Sequence, residues 1–485
     1  MSYPQNLGAR INYLTNYNTN SVKLNPDNSV SELSAITSGS KVQFTLPPNS
    51  LVDLSSFSVF ALFNCQSAAD NAQAIRPHYL TRYANAMIKR LTVEIGGNVI
   101  NDIEDYNLIN QIFSDYQFGV EGSSKKLLSN IDPFQRAYQS GSAAGGVIPL
   151  DKGVAGVDLI ENDTKPICLN QFLGFMGGGA GVKYIDTQLT GQIKITIELA
   201  PANNILFRGV DCQLDGTQGT LAGITDADCV TQAVYSLNNI HATIKKISID
   251  DGVYFASISQ ALSSGIPFEY KYNHFYQTKS NATNGDLTMR YEVMSNSVDM
   301  ALLTFQENEY KNAVKDLPDA DNLLGYGRDL YDNYPYLNAK SLANMGKKNC
   351  FCSGYFKRTG PVSSAKFYIN GESLPQYEMT AASGSIYQQS LIDFGIHDDT
   401  ANGIYYGINS YESWIENYFV ATARLSHVTN DDSFISGFNA NGIPLTISVE
   451  TKSLTGGSSD YTGQLWVMTT EVLQVYAGRQ INRIK

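Results

Sequence analysis

Charge is scarce in this chain. Only 16% of its 485 residues are Asp, Glu, Lys or Arg, where soluble proteins average about a quarter. A folded surface so short of charge has to be dressed with Asn, Ser, Thr, Gln, Tyr and Gly. The charge present nets −12, and no basic stripe breaks it up. A protein that coats nucleic acid needs clustered Lys and Arg to neutralise phosphates, so bulk genome coating is excluded. Tryptophan occurs twice, against 30 tyrosines. Tyrosine suits strands and half-buried interfaces.

Cysteine gives no framework. Cys65, Cys168, Cys212, Cys229, Cys350 and Cys352 are scattered, which is not a disulfide pattern. Cys350 and Cys352 form a close pair, but a structural zinc needs four ligands and no second pair follows. Free thiols in a reducing compartment are expected. Long apolar runs are also missing. The opening MSYPQNLGARINYL has no apolar leader core, and FSVFALF at 57–63 is strand-sized, far short of a span of about 18 residues. Without a leader, the sequons at Asn162 and Asn281 read as chance matches.

Catalytic constellations are absent too. There is no G-x-S-x-G elbow and no phosphate-binding G-x-x-x-x-G-K-[ST] loop. The glycine run at 177–181 lacks the Lys-Ser/Thr that a phosphate cradle requires. His78, His241, His274, His397 and His427 show no metal spacing, and a buried or hydrogen-bonded structural role is the default for each. The pairs Asp250–Asp251, Asp398–Asp399 and Asp431–Asp432 are adjacent, so on a strand they point to opposite faces and make no glycosidase dyad. Asp316, Asp319 and Asp321 lack the calcium-loop pattern and read as turn caps. No catalytic, metal or cofactor site is expected.

What the chain has is a period of two. Val42, Phe44 and Leu46 share one face of 41–46. Leu91, Val93 and Ile95 repeat the pattern, as do Ile193, Ile195, Ile197 and Leu199. Leu287, Met289, Tyr291 and Val293 follow it, and so do Leu445, Ile447 and Val449. Each is a half-buried strand of an antiparallel sheet, because parallel strands would be apolar on both faces. Helices are few, expected at Asp102–Tyr116, Ser385–Asp393 and Ser410–Phe419. The class is all-β with short helices. Residues 1–38 lack periodicity and read as an extended arm. Two long insertions break the strands, at about 119–183 and 307–348. The second is studded with tyrosines, a plausible contact surface.

The chain also resembles itself. VEIGGNVI at 93–100 matches FYINGESL at 367–374, and GQIKITIEL at 191–199 matches GQLWVMTTEV at 463–472. Ile369 lies 274 residues beyond Ile95, and Gly463 lies 272 beyond Gly191. Nearly equal offsets point to two copies of one β domain, with 39–235 and 236–478 as the two halves.

On the segments LTVEIGGNVINDIEDYNLINQIFSDY (91–116), KFYINGESLP (366–375) and ISGFNANGIPLTISVET (435–451), the chain resembles the double jelly-roll major capsid proteins of tailless double-stranded DNA viruses. The resemblance is nearest the polinton-like virus and virophage end of that lineage, and it covers about Gly39 to Ile481. It implies two consecutive eight-stranded jelly-roll sandwiches per chain. It further implies homotrimers that mimic hexagonal blocks and tile an icosahedral shell. Neighbouring capsomers, penton proteins and minor capsid proteins would be the partners, and the virion, assembled inside the infected host cell, the location. Tyr326, Tyr331, Tyr334 and Tyr336 are the expected tower contacts. The basic tail 479–485, with Arg479, Arg483 and Lys485, is expected to meet an inner membrane, a minor capsid protein or the genome. The rival reading is a β-sandwich adhesin or carbohydrate-binding protein, which low charge and abundant Tyr and Asn would also suit.

Overall fold

The computed structural model describes residues 17–27, 36–37, 40–67, 78–80, 84–117, 164–177, 182–200, 206–208, 233–249, 252–282, 285–307, 362–395, 411, 414, 419–426, 436–454 and 461–485. In the first half, one sheet runs β1 (Tyr17–Leu24), β12 (Ala233–Ile249), β4 (Leu51–Ser67) and β8 (Thr164–Leu169). The sheet facing it runs β3 (Lys41–Thr45), β10 (Ile193–Leu199), β6 (Ile88–Ile95) and β7 (Asn98–Glu104). Short strands β2 (Ile36–Thr37) and β9 (Tyr184–Asp186) extend the first sheet, and β5 (His78–Leu80) pairs with β11 (Leu206–Arg208).

The second half repeats the plan. One sheet runs β13 (Phe268–Ala282), β20 (Tyr461–Tyr476), β15 (Val298–Glu307) and β18 (Ala421–Arg424), with β21 (Gln480–Ile484) also along β20. Its partner sheet runs β14 (Gly285–Val293), β19 (Leu445–Leu454), β16 (Ser364–Ile369) and β17 (Glu372–Thr380). Numbered by chain order within each half, the main strands read 1-8-3-6 opposite 2-7-4-5 in both. That order is a jelly roll, and every pairing is antiparallel.

The alternating residues fill the cores. Phe44 of β3 meets Phe57 of β4 edge-on at 6.0 Å between ring centroids, and Ile193, Ile195 and Ile197 of β10 lie buried between the same sheets. In the second sandwich, the missing side chain of Gly463 lets Leu287 and Met289 of the opposite sheet close onto β20.

Both the I-G-G-N (95–98) and I-N-G-E (369–372) segments are tight hairpins. Gly96 and Gly97 have φ of 58° and 86°, and Asn370 and Gly371 have 52° and 88°. Two positive φ values in succession make the turn whose twist matches paired strands. The first hairpin corrects one expectation. Asn98–Glu104 is the strand β7, so α1 starts at Tyr106 and not at Asp102, running Tyr106–Gln117. Asp105 ends the strand with φ 43°, and its carbonyl accepts the first helical N–H from Leu108 at 2.9 Å. Asp102 caps no helix; it accepts from Arg90 Nε at 2.7 Å across the hairpin.

Other boundaries also move. The expected arm contains β1, the first strand of the first jelly roll, in register with β12 from Tyr17–Ile249 to Leu24–Ala242. The expected division at 235/236 falls inside β12, which stays in the first sandwich to Ile249. The expected insertion at 119–183 holds β8, a strand of the first sandwich. Short helices α2 (Thr187–Thr190) and α3 (Gly252–Ser263) appear, the second joining the sandwiches. The expected helix at 385–393 is α4 (Ser385–Phe394). Of the expected helix at 410–419, Tyr411 and Trp414 have helical backbone and Phe419 does not.

The second internal match does not survive. Gly-Gln-Ile leads into β10, whereas Gly-Gln-Leu lies in β20, a strand of the other sheet type. By strand order the partner of β10 is β19, and the partner of β20 is β12. The hairpin match is sound, since β6–β7 and β16–β17 occupy the same place in the two sandwiches.

Candidate functional site, the seam between the sandwiches

The two jelly rolls meet along β7 and β13. Asn101 of β7 lies opposite Val93 and on the same face as Ile103, so a polar side chain stands among apolar neighbours, and it is wholly buried. Its amide Nδ2 donates to the Asn273 carbonyl at 3.3 Å and to His274 Nδ1 at 3.0 Å. The Tyr272 hydroxyl lies 3.3 Å from the Ile100 carbonyl and 2.8 Å from Glu471 Oε2. Tyr276 donates to the other carboxylate oxygen at 2.8 Å. Arg483 Nε, from β21, completes the set at 2.5 Å from Oε2.

Glu471 has no exposed surface. Burial pushes its carboxyl upward, but Arg483 and the Tyr272 hydroxyl outweigh that and hold it below the usual carboxylate range. Burial drives the His274 imidazole down to about 4, so it is neutral at pH 7. A charge taken out of water needs a partner, and here each has one.

Aromatic rings close both ends. Phe113 of α1 packs edge-on against Phe275 of β13 at 5.3 Å and against Phe394 of α4 at 5.7 Å. Tyr116 stacks on Phe394 at 4.4 Å. Phe175 meets Tyr272 at 5.2 Å. Each such pair contributes about 0.5–1.5 kcal/mol beyond its buried area. A second ionic contact lies at the rim, where Asp105 bridges Lys89 of the first sandwich and Lys279 of the second.

The predicted site residues fare unequally. Tyr326, Tyr331, Tyr334 and Tyr336 lie outside the described residues, as do Cys350, Cys352 and the acidic residues at 316–321. The segment 479–485 is no free tail. Arg479 Nε donates to the Gln188 carbonyl of the first sandwich at 3.1 Å, and Gln480–Ile484 is the strand β21. Ile481 reaches to Gly96, also in the first sandwich. Arg483 turns inward to Glu471, so its charge is committed within the chain; Arg479 and Lys485 remain at the surface. Tail residues look solvated in sequence because only three of the last seven carry charge and none is acidic; the pairing partner Glu471 sits a strand away. Asn101, His274 and Glu471 carried no signal as a set, since they lie on three strands far apart in the chain. Among the described residues, no cluster of His, Cys, Asp or Glu could hold a metal, and no helix is long and apolar enough to cross a membrane.

Two sandwiches of one strand order, fused along a buried seam, define a double jelly roll. No family description and no curated protein sequence matches the chain. Solved structures do. The PBCV-1 virus capsid superposes with a TM-score of 0.55 at 12% identity, covering 99% of this chain and 100% of that one. The Faustovirus major capsid protein gives 0.54 at 11% identity, with 96% and 92% covered. The Sputnik virophage gives 0.53 at 11% identity, with 100% and 92% covered. The chain has the double jelly-roll fold of these viral capsid proteins.

Proposed function

We propose that this chain is a major capsid protein whose role is structural and not catalytic. The observation that carries the reading is the shared strand order of two sandwiches locked by a buried seam. Such a chain presents two near-equal lobes in fixed orientation. Three chains around a threefold axis then place six lobes in a ring, a pseudo-hexagonal block that tiles a flat facet. Likeness to the PBCV-1 and Faustovirus capsid structures supports this reading, as does the low-charge, tyrosine-rich composition, which suits extensive hydrogen-bonded contacts. Trimers would pack against neighbouring capsomers, penton and minor capsid proteins in an icosahedral virion assembled in the host cell. Tyr326, Tyr331, Tyr334 and Tyr336 are proposed for the outer contacts. Arg479 and Lys485 are the basic groups left for a membrane, a minor protein or the genome.

Light scattering on the purified chain tests the reading. The expected mass is three times 53.2 kDa, with hexagonal blocks in negative stain. A monomer at micromolar concentration that binds glycans would overturn it in favour of an adhesin.

A further inference from the structure

The side-chain contact between Asn101 and His274 joins the two sandwiches through an imidazole that must be unprotonated. Asn101 Nδ2 faces the Asn273 carbonyl oxygen as well as His274 Nδ1. A carbonyl oxygen accepts only from a donor, so the amide nitrogen belongs on that side, and Nδ1 is the acceptor. Protonating His274 would set an N–H against that NH2. Turning the amide over would lose the Asn273 bond and face two oxygens. Space for other adjustment is short: a carbon placed on Gly174 would come within 2.6 Å of Asn101 Oδ1, and the Tyr276 ring covers His274 at 4.4 Å between centroids.

We propose that the Asn101–His274 contact is an acid-released clasp between the two jelly rolls. The contact lies within one chain, so the proposal stands apart from the capsid reading. The groups facing the imidazole set the conditions for release. Glu471 of β20 and Asp102 of β7 favour the imidazolium, while Arg483 and Lys485 at the C-terminus oppose it. Tyr272 and Tyr276 are neutral neighbours, raised above their ordinary range chiefly by burial. Glu471 is already engaged by Arg483 and both tyrosines, which leaves it poorly placed to receive a second cation. Burial prevails, and the folded imidazole titrates near 4 against 6.5 when free.

The sign follows. A histidine held neutral in the closed seam binds its proton more readily when the seam opens. Closure is therefore fully favoured above about pH 6.5 and weakens as pH falls toward 4. Each pH unit in that window raises the open population about tenfold.

Amide hydrogen exchange on the full chain, corrected for intrinsic rates, reads the seam directly. Exchange in β7 and β13 should accelerate about tenfold per pH unit between 6.5 and 4, while β14 and β19 stay unchanged. In His274→Gln, whose side-chain oxygen accepts from Asn101 without titrating, the acceleration should vanish. Equal acceleration in the variant, or none in the wild type, would overturn the clasp. If the variant does not fold, NMR titration of His274 in the wild type decides: a midpoint near 4 supports the clasp, and one near 6.5 sinks it.

Discussion

Trp414 of the second sandwich donates its indole N–H to the Tyr116 hydroxyl of the first, at 2.6 Å, with both side chains out of water. The indole also packs on Tyr387 and Phe419, each at 5.2 Å between centroids. One residue thus ties the core of one jelly roll to a helix of the other.

Trp414→Phe separates those two roles. Phenylalanine keeps most of the apolar contact and removes the donor. Loss of one partner from a buried hydrogen bond costs about 1–3 kcal/mol, whereas Trp414→Ala adds a cavity and should cost about 3–5 kcal/mol. Urea unfolding midpoints of the two variants measure the split. Equal midpoints for Trp414→Phe and wild type would show that packing alone matters here.

Arg483→Met should be among the most damaging single changes at the C-terminus. Glu471 is fully buried and Arg483 is 19% exposed, so the pair is little screened. Removing the cation leaves a buried carboxylate uncompensated, at a cost of about 3–5 kcal/mol. The double change Glu471→Gln with Arg483→Met should recover most of that, because it deletes both charges and keeps the tyrosine contacts. Acid acts in the same direction. The folded carboxyl lies below its ordinary value, so its contribution is complete above the ordinary carboxylate range and is lost as pH falls through the folded value. Thermal melting from pH 7 down to 3 checks this, with the double variant, which keeps His274 but lacks the Glu471 carboxylate, as the reference for the acid loss due to that carboxylate alone.

How much of this was legible in the sequence depended on periodicity. β10 shows Ile193, Ile195, Ile197 and Leu199 on one buried face, and its strand was readable for that reason. β1 has the sequence Y-N-T-N-S-V-K-L, and its described side chains mostly face water. Backbone pairing to β12 holds it, and backbone pairing leaves no apolar mark. α3 is apolar at Val253, Phe255, Ile258 and Leu262 with no charged residue, so it shows no amphipathic contrast to read. The false match of β10 with β20 has a related cause: any two alternating strands resemble each other over eight residues, whereas the Gly96–Gly97 and Asn370–Gly371 turns demand a rare backbone and matched correctly. The seam could not be read at all, because Asn101, His274 and Glu471 meet only in three dimensions.

Lys279→Met tests whether exposure governs the ionic contacts. Asp105 is buried to 2% side-chain exposure, but Lys279 and Lys89 are 43% and 36% exposed. Either ammonium can be replaced in part by water and salt, and Lys89 still neutralises Asp105 when Lys279 is gone. The loss should be about 1 kcal/mol or less and should shrink further in 0.5 M salt. A loss as large as that of Arg483→Met would mean that the rim is as dry as the centre of the seam.

Deleting residues 479–485 removes β21 from the edge of β20, the Arg479 bond to Gln188 and the cation of Glu471 in one step. The isolated chain should therefore lose stability before any particle is built. Its melting temperature should fall by at least as much as that of Arg483→Met, and exchange in β7 and β13 should rise at neutral pH. Differential scanning calorimetry of the unassembled protein checks the first, and hydrogen exchange the second. A truncated chain that melts like the wild type and fails only in assembly would move these residues from an internal strap to a partner contact. The geometry favours the strap, because Arg483 is aimed at Glu471 and its bond there closes the only route by which that carboxylate is balanced by a cation among the contacts described.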